Sequence, residues 1–245
     1  RLDEQGTQLE EAVEWPVSNF VEEMPVRAAV PVEGREVALR AWKYALTGKN
    51  GWEIPVFLLD TDLPENSEWD RTLTDNLYGG DAHYRLCQEV VLGIGGVHML
   101  GALGYLTIDR FHMNEGHAGL LTAALLEREY KAVDGSEVSE EMVKSARSKC
   151  VFTTHTPVPA GHDKFSWSMA EQVLGDYMRF LRPIYHETDE LNMTYLALRM
   201  SRYINGVARR HTEISREMFA GYTIDSITNG VHVPSWMCSS FQKLL

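Results

Sequence analysis

The stretch Val151-Phe152-Thr153-Thr154-His155-Thr156-Pro157-Val158-Pro159-Ala160-Gly161-His162-Asp163-Lys164-Phe165 opens as a β-branched and aromatic run, then breaks into a loop punctuated by two prolines and a glycine. The run has the composition of a buried strand, and the loop begins where the prolines forbid its continuation. In open α/β folds, ligands sit in the crevice beyond the carboxyl ends of the strands. His155, Thr156, His162 and Asp163 are therefore the first residues to weigh as a site.

Working outward, three more apolar runs hand over to polar turns. Residues 54–59 form a nearly continuous apolar block that empties into Asp60, Asp62 and Asn66, and read as a buried strand of parallel type. Residues 108–113 lead to Asn114-Glu115-Gly116-His117, and residues 223–228 lead to Asn229-Gly230-Val231-His232. Helical periodicity lies between them. Leu86, Val90, Val91, Ile94, Val97, Leu100 and Leu103 share one face over 84–104, and a second apolar-periodic segment covers about 118–130. Ser139 is placed to cap a helix running to about residue 149, and Ser168-Met169-Ala170-Glu171 reads as a capping box. Met193, Leu196, Ala197, Met200, Tyr203 and Ile204 mark another helical face, closed by Asn205-Gly206 as its C-cap, and a last helix covers about 212–219.

This alternation predicts an α/β fold with a doubly wound, mostly parallel sheet. If the strands are parallel, all four polar turns share one end of it. Ahead of the sheet, residues 26–32 and 37–46 flank Glu33-Gly34 and read as a β-hairpin near the N-terminus. Residues 1–24 are acidic and weakly patterned, a loop with a helical turn or two around 9–13.

Composition narrows the function classes. A hydrophobic share of 44% with 24% charged residues excludes a disordered chain, and no apolar run approaches the roughly 18 residues of a membrane span. Thirty-five acidic against 23 basic residues give a net charge of -12, which offers nothing to nucleic acid or to an anionic membrane. Cys87, Cys150 and Cys238 lie far apart and read as reduced, buried thiols of a cytosolic protein. The chain has no initiator methionine and no polar tail, and is expected to be a fragment.

Several constellations invite chemistry. Gly93-Ile94-Gly95-Gly96 suggests a phosphate loop, but no strand precedes it and His98 occupies the last glycine position. Close helix packing is the better reading, at a cost of about 1 kcal/mol per glycine relative to alanine. His112 and His117 flank Glu115 without HExxH spacing, so a metal centre ranks low, and no GxSxG elbow supports a serine nucleophile. Glu115 with Asp163 leaves a two-carboxylate glycoside hydrolase open, to be decided by distance.

What the four turns share is Asn, His, Thr, Glu and Gly with few bases, a mixture that hydrogen-bonds neutral sugars. Each residue also has a structural role available. His155 can cap a carbonyl, Asn229 can be a turn residue before Gly230, Asn114 can cap a helix, and Glu115 can complement its dipole. Singly these roles are as good as function; four such turns together favour a site.

The segments Phe152 to Asp163, His112-Met113-Asn114-Glu115-Gly116-His117 and Thr228-Asn229-Gly230-Val231-His232-Val233-Pro234-Ser235-Trp236 resemble the α-glucan (glycogen, maltodextrin, starch) phosphorylases, most closely the shorter bacterial and archaeal type. Leu77-Tyr78-Gly79-Gly80-Asp81 with Arg85, Gln88 and Glu89, and Leu58-Leu59-Asp60-Thr61-Asp62 before Glu65-Asn66, are similar to further segments of that family. The resemblance covers residues 52–236. It implies a GT-B architecture, with residues 1–228 an incomplete N-terminal Rossmann-like domain and 229–245 the start of the crossover to a second domain.

It also implies retaining, reversible phosphorolysis of α-1,4-glucan to glucose 1-phosphate, with pyridoxal phosphate as cofactor and inorganic phosphate as co-substrate, in a cytoplasmic protein that is a homo-oligomer when full length. By motif position, His155 resembles the catalytic histidine at the cleaved glucosyl unit. Asn229 resembles a residue holding a glucose hydroxyl, and Asn114, Glu115, His117 and Thr156 fall beside the substrate. His162 and Asp163 are read as shaping the loop.

No lysine stands in a motif matching the family's Schiff-base lysine, and no basic cluster at the turns offers phosphate a seat, so no cofactor or metal ligand is assigned. The chain alone is expected to be inactive. Two alternatives remain at this point. A nucleotide-sugar GT-B transferase would need a diphosphate seat; a non-catalytic glucan-binding or regulatory module would keep the sugar-facing turns and discard the chemistry.

Overall fold

Glu33 and Gly34 take positive φ angles of 51° and 76°, the two-residue turn whose twist matches antiparallel strands, and they close the expected hairpin. The computed structural model describes residues 3–9, 16–77, 79–133, 137–185 and 189–242; most of the helical turn expected around 9–13, and Tyr78, lie outside the described residues. β1 (Glu22–Glu23), β2 (Ala28–Val32) and β4 (Glu53–Asp60) all pair antiparallel with the long β3 (Arg35–Thr47), in the order β1-β3-β2 with β4 also on β3. Val30, Val32, Val37, Leu39 and Ala41 alternate along β2 and β3 and are fully buried on one face.

β4 is not the buried parallel strand its apolar run suggests. It pairs with the outer half of β3, from Arg40↔Asp60 to Thr47↔Glu53, and none of its residues is buried. A short apolar run carries no information on strand direction, and here the hairpin partner decides. The following turn accordingly serves the hairpin. Asp60 accepts from Arg40 Nε at 2.7 Å and Trp42 Nε1 at 2.8 Å, and Asn66 clasps the backbone of Ala38 on β3.

After the short α1 (Glu68–Arg71), α2 (Ala82–Val90) passes through one π turn (Val91–Gly95) into α3 (Gly96–Ala102), realising the long apolar helix expected over 84–104. Gly93 lies in the π turn because the backbone of Leu120 and Leu121 crosses there. A Cβ at Gly93 would sit 2.7 Å from Leu121 N and 2.9 Å from Leu120 C. Gly93→Ala is therefore expected to destabilise the fold by about 2 kcal/mol, since backbone atoms cannot yield and the overlap outweighs alanine's helix preference. A urea midpoint equal to that of the parent chain would refute the close approach.

β5 (Phe111–Asn114), α4 (Leu121–Ala132), α5 (Glu140–Lys149) and β6 (Cys150–Thr154) form the next β-helix-β unit, with Ser139 capping α5 through Met142 N–H as expected. Beyond it come β7 (Lys164–Ser166), α6 (Trp167–Leu174), α7 (Met178–Leu181), β8 (Glu190–Asn192), α8 (Met193–Arg199), β9 (Tyr203–Gly206), α9 (Arg209–Met218) and β10 (Asp225–Ser226). β5, β6, β9 and β10 make a parallel sheet in the order β10-β9-β6-β5, with Met113↔Phe152 and Phe152↔Ile204 in register. β7 and β8 form a separate antiparallel pair. Phe152, Met113, Leu120, Leu126 and Leu196 are fully buried in a core that also takes in the inner face of β2 and β3.

Three local expectations change. The helical face read through Ile204 stops at Arg199, and Tyr203–Gly206 pairs with β6 instead; Asn205 is a strand residue whose Oδ1 accepts from Thr153 Oγ1 at 2.9 Å. The N-cap of α6 is Ser166, accepting from Met169 N–H, two residues before the expected Ser168. Cys87 and Cys150 are buried, whereas Cys238 is exposed. The sheet also advances in chain order, without the reversal of a doubly wound sheet among the described residues. The architecture shown is α/β, a parallel sheet beside antiparallel strands.

Candidate active site

The turns after β5 and β6 are tied together by one side chain. Glu115 leaves β5 with φ at 71°, a left-handed conformation that costs a residue with a Cβ on the order of 1 kcal/mol or more. It is 6% exposed. Its Oε2 accepts the backbone N–H of His155 at 2.7 Å, its Oε1 accepts Gly116 N–H at 3.2 Å, and its own N–H donates to Thr153 O at 2.9 Å. These contacts hold the strained backbone and fix where the chain of His155 leaves β6. Gly116 follows because any side chain there would meet Thr194, with Oγ1 at 2.9 Å and N at 3.0 Å from a Cβ.

His117, in the same turn, belongs to a cluster of four ionisable groups. Its Nδ1 lies 3.1 Å from Asp163 Oδ2 and 2.8 Å from Arg85 Nη2, and Arg85 also donates to Asp163 through Nη2 at 3.1 Å and Nε at 3.3 Å. Beneath them Glu89 is 1% exposed, 3.6 Å from Arg85 Nε and 3.9 Å from His117 Nδ1, with neither carboxyl oxygen hydrogen-bonded. Burial, reinforced by the neighbouring Asp163, pushes Glu89 up to about 8 against the pull of His117 and Arg85. The Asp163 carboxylate, then the more distant Glu89, favour the charged imidazole of His117 and raise it to about 9. Burial opposes ionisation of Asp163, but His117, Glu89 and Arg85 outweigh it and keep its carboxyl well below the usual carboxylate range. Burial thus favours the protonated, neutral form of Glu89, while Asp163 stays ionised against the Arg85 guanidinium and His117.

Ligand atoms of Glu89, His117 and Asp163 lie within 4.8 Å of one another, close enough to bracket a metal ion. The guanidinium of Arg85 stands against two of them, 2.8 Å from His117 Nδ1 and 3.1 Å from Asp163 Oδ2, so the position suits the arginine rather than a metal. Arg85, His117 and Asp163 also line a polar cavity of about 470 Å³ with Thr156, Gly161 and the Gly79 to Ala82 loop. Its donors and acceptors converge as a polyhydroxyl ligand requires.

Of the residues singled out by sequence, His117 and Thr156 line that cavity. His155 is exposed, with its backbone anchored on Glu115. Asn114 is exposed at the end of β5. Asn229 is exposed just beyond β10, its N–H bonded to Val207 O at 2.9 Å, which fixes the third turn to the carboxyl end of the same sheet. Glu115 is turned to protein backbone. His162 is buried between Thr194 Oγ1 at 2.9 Å and Met218 Sδ at 3.3 Å, a loop-shaping position. Asp163, also read as loop-shaping, faces the cavity. Neither Glu115 nor Asp163 stands free as a hydrolase pair would, since both are committed to neighbouring donors. Arg85 and Glu89 enter the site only with the fold; the signal for them was their i, i+4 spacing on one helix.

No family model matches the chain. Among curated proteins, it is 35% identical over 267 aligned positions to the maltodextrin phosphorylase of Thermococcus litoralis, across 100% of this chain and 31% of that protein. The chain is a homologue of a segment of the glycogen and maltodextrin phosphorylases. The glycogen phosphorylase of Mycobacterium tuberculosis is 38% identical over 78% of the chain and 25% of its own length, and that of Aquifex aeolicus is 30% identical over 92% and 35%. The chain thus spans between a quarter and about a third of these phosphorylases, and the geometry above belongs to that portion.

Proposed function

We propose that this segment is the glucan-facing part of an α-1,4-glucan phosphorylase, carrying out reversible, retaining phosphorolysis to glucose 1-phosphate within a GT-B architecture. Residues 1–228 are then most of the N-terminal domain and 229–245 the start of the crossover. The observation that carries the reading is the Glu115 to His155 link, which joins two sugar-competent turns at one end of the parallel sheet beside the Arg85–His117–Asp163 cavity. On this reading His155 is the catalytic residue at the cleaved glucosyl unit. Asn229, Asn114 and Thr156 hold hydroxyls, Glu115 positions His155, and His117 donates to the sugar or to its phosphate partner.

Pyridoxal phosphate belongs to this reading, but the residues here do not fit its covalent attachment. No lysine lines the polar cavity, and Lys131 and Lys149 are paired with Glu127 at 2.8 Å and Glu129 at 2.7 Å. Its seat is assigned to the rest of the protein. Among the described residues no helix is long and apolar enough to cross a membrane. A cytoplasmic location and a homo-oligomer of the full-length protein complete the proposal.

The 245-residue chain, incubated with phosphate, pyridoxal phosphate and maltoheptaose, is expected to yield no glucose 1-phosphate, while the full-length protein yields it readily. Robust product from the short chain would overturn the assignment of chemistry to the absent part. Product from neither, with maltoheptaose still bound, would favour a glucan-binding module.

A further inference from the structure

Three polar side chains from three parallel strands meet on the sheet face opposite Phe152: His112 of β5, Thr153 of β6 and Asn205 of β9. Thr153 and Asn205 are in register and only 6% and 5% exposed. Their directions are fixed from one end. Asn205 Nδ2 lies 3.3 Å from the Gly206 carbonyl oxygen, which can only accept, so Oδ1 faces Thr153 Oγ1 at 2.9 Å and takes the hydroxyl proton. Thr153 Oγ1 then has only lone pairs for His112 Nε2 at 2.6 Å, and that nitrogen must carry its hydrogen. The result is a one-way donor chain, His112 to Thr153 to Asn205 to Gly206 O. It ends where the turn after β10 is anchored. Gly206 O also accepts Ile227 N–H at 3.0 Å, and the next carbonyl, Val207 O, accepts Asn229 N–H at 2.9 Å. From the other side α9 closes on the same peptide: a Cβ at Gly206 would lie 2.6 Å from Thr212 Oγ1 and 2.8 Å from His211 Nδ1. The Gly206–Val207 peptide is thus held between the row and α9. Sheet stability does not account for the row, because an apolar pair of the same shape at 153 and 205 would be nearly neutral or stabilising.

We propose that Thr153 and Asn205 are positioning residues for Asn229. They set the tilt of the Gly206–Val207 peptide, and that peptide sets how far the turn bearing Asn229 stands from the His155 loop on β6. Glu115 joins the turns after β5 and β6; the row joins the β6 loop to the turn after β10. His112, exposed at the end of the row, supplies the donor that leaves the Thr153 proton free for Asn205. The inference rests on the proposed function, which places a glucose hydroxyl on Asn229.

Thr153→Val keeps the β-branched shape and deletes the hydroxyl. In the full-length protein the Asn229 amide is then expected to exchange about 10-fold faster, while the His155 amide, held by Glu115 Oε2, keeps its rate. The KM for maltoheptaose is expected to rise by about 10-fold with kcat less affected. Thr153→Ser should restore both. Asn205→Asp, which retains an acceptor for Thr153 but gives Gly206 O no donor, is expected to loosen Asn229 in the same way. An unchanged Asn229 amide in these variants, or equal acceleration at Asn229 and His155, would overturn the proposal, as would a loosened Asn229 at unchanged KM. The exchange measurements read no turnover, so a parent protein without phosphorolysis would count against the proposed function, and the two amides would still decide the positioning.

Discussion

Glu115→Ala in the full-length protein is expected to cut phosphorolysis by at least about 100-fold and to destabilise the fold by about 3 kcal/mol. The buried N–H of Gly116 and the part-buried N–H of His155 lose their acceptor, and an unsatisfied buried donor costs about 1–3 kcal/mol. The left-handed backbone at residue 115 loses the contacts that hold it, so the two turns separate. Displacing a reacting group by about 1 Å can cost roughly 100-fold in rate. Glu115→Gln keeps the volume and one acceptor and should fall between alanine and the parent. Because Glu115 acts through His155, the readout is a loss in kcat together with faster exchange of the His155 amide. A variant with reduced activity but unchanged amide exchange would mean that Glu115 touches substrate instead.

The second large effect is a loss of stability in alkali. Glu89, raised from 4.5 to about 8, and His117, raised from 6.5 to about 9, both bind their protons more tightly folded than unfolded. Their contributions are complete below pH 4.5 and 6.5 respectively, and vanish as pH rises through 8 and 9. Stability should therefore fall with rising pH, most steeply between about 6.5 and 8 where the two windows overlap, at up to about 1.4 kcal/mol per pH unit for each group. Asp163 has the opposite sign: held below its ordinary 3.8, it supports the fold above that value and withdraws support as pH drops below it. Glu89→Gln keeps a neutral side chain and should remove the Glu89 share, leaving the decline between 6.5 and 9. Urea midpoints across pH 5–9 decide the matter. Superimposable profiles for the parent and Glu89→Gln would show that Glu89 is already ionised in the folded state.

How much of this the sequence carried can be seen element by element. The β6 strand and its loop, the hairpin at Glu33-Gly34 and the α2–α3 helix are strong local signals, because turn chemistry and long periodicity act over neighbouring residues. β4 and β9 were misread for the same reason as each other: the direction and length of a short apolar run are set by the strand it meets, β3 in one case and β6 in the other. In the site, the polar turns after β5, β6 and β10 were legible as strand-end loops. The Arg85–Glu89–His117–Asp163 cluster was not, since 78 residues separate Arg85 from Asp163 and only the packing of α2 against the β6 loop brings them together. Glu115 was legible as important but not as an anchor, because its positive φ and its bond to His155 exist only in the folded chain.

The central claim is that the β6 loop presents His155 to the glucosyl unit being cleaved, and one comparison tests it most directly. Full-length parent and His155→Ala proteins, shown by urea unfolding to be equally stable, are assayed for glucose 1-phosphate from maltoheptaose and phosphate. The ring is exposed and makes no contribution to the core, so the expected result is a rate lower by about 100-fold or more at unchanged stability. An unchanged rate would remove His155 from the site and contradict the account.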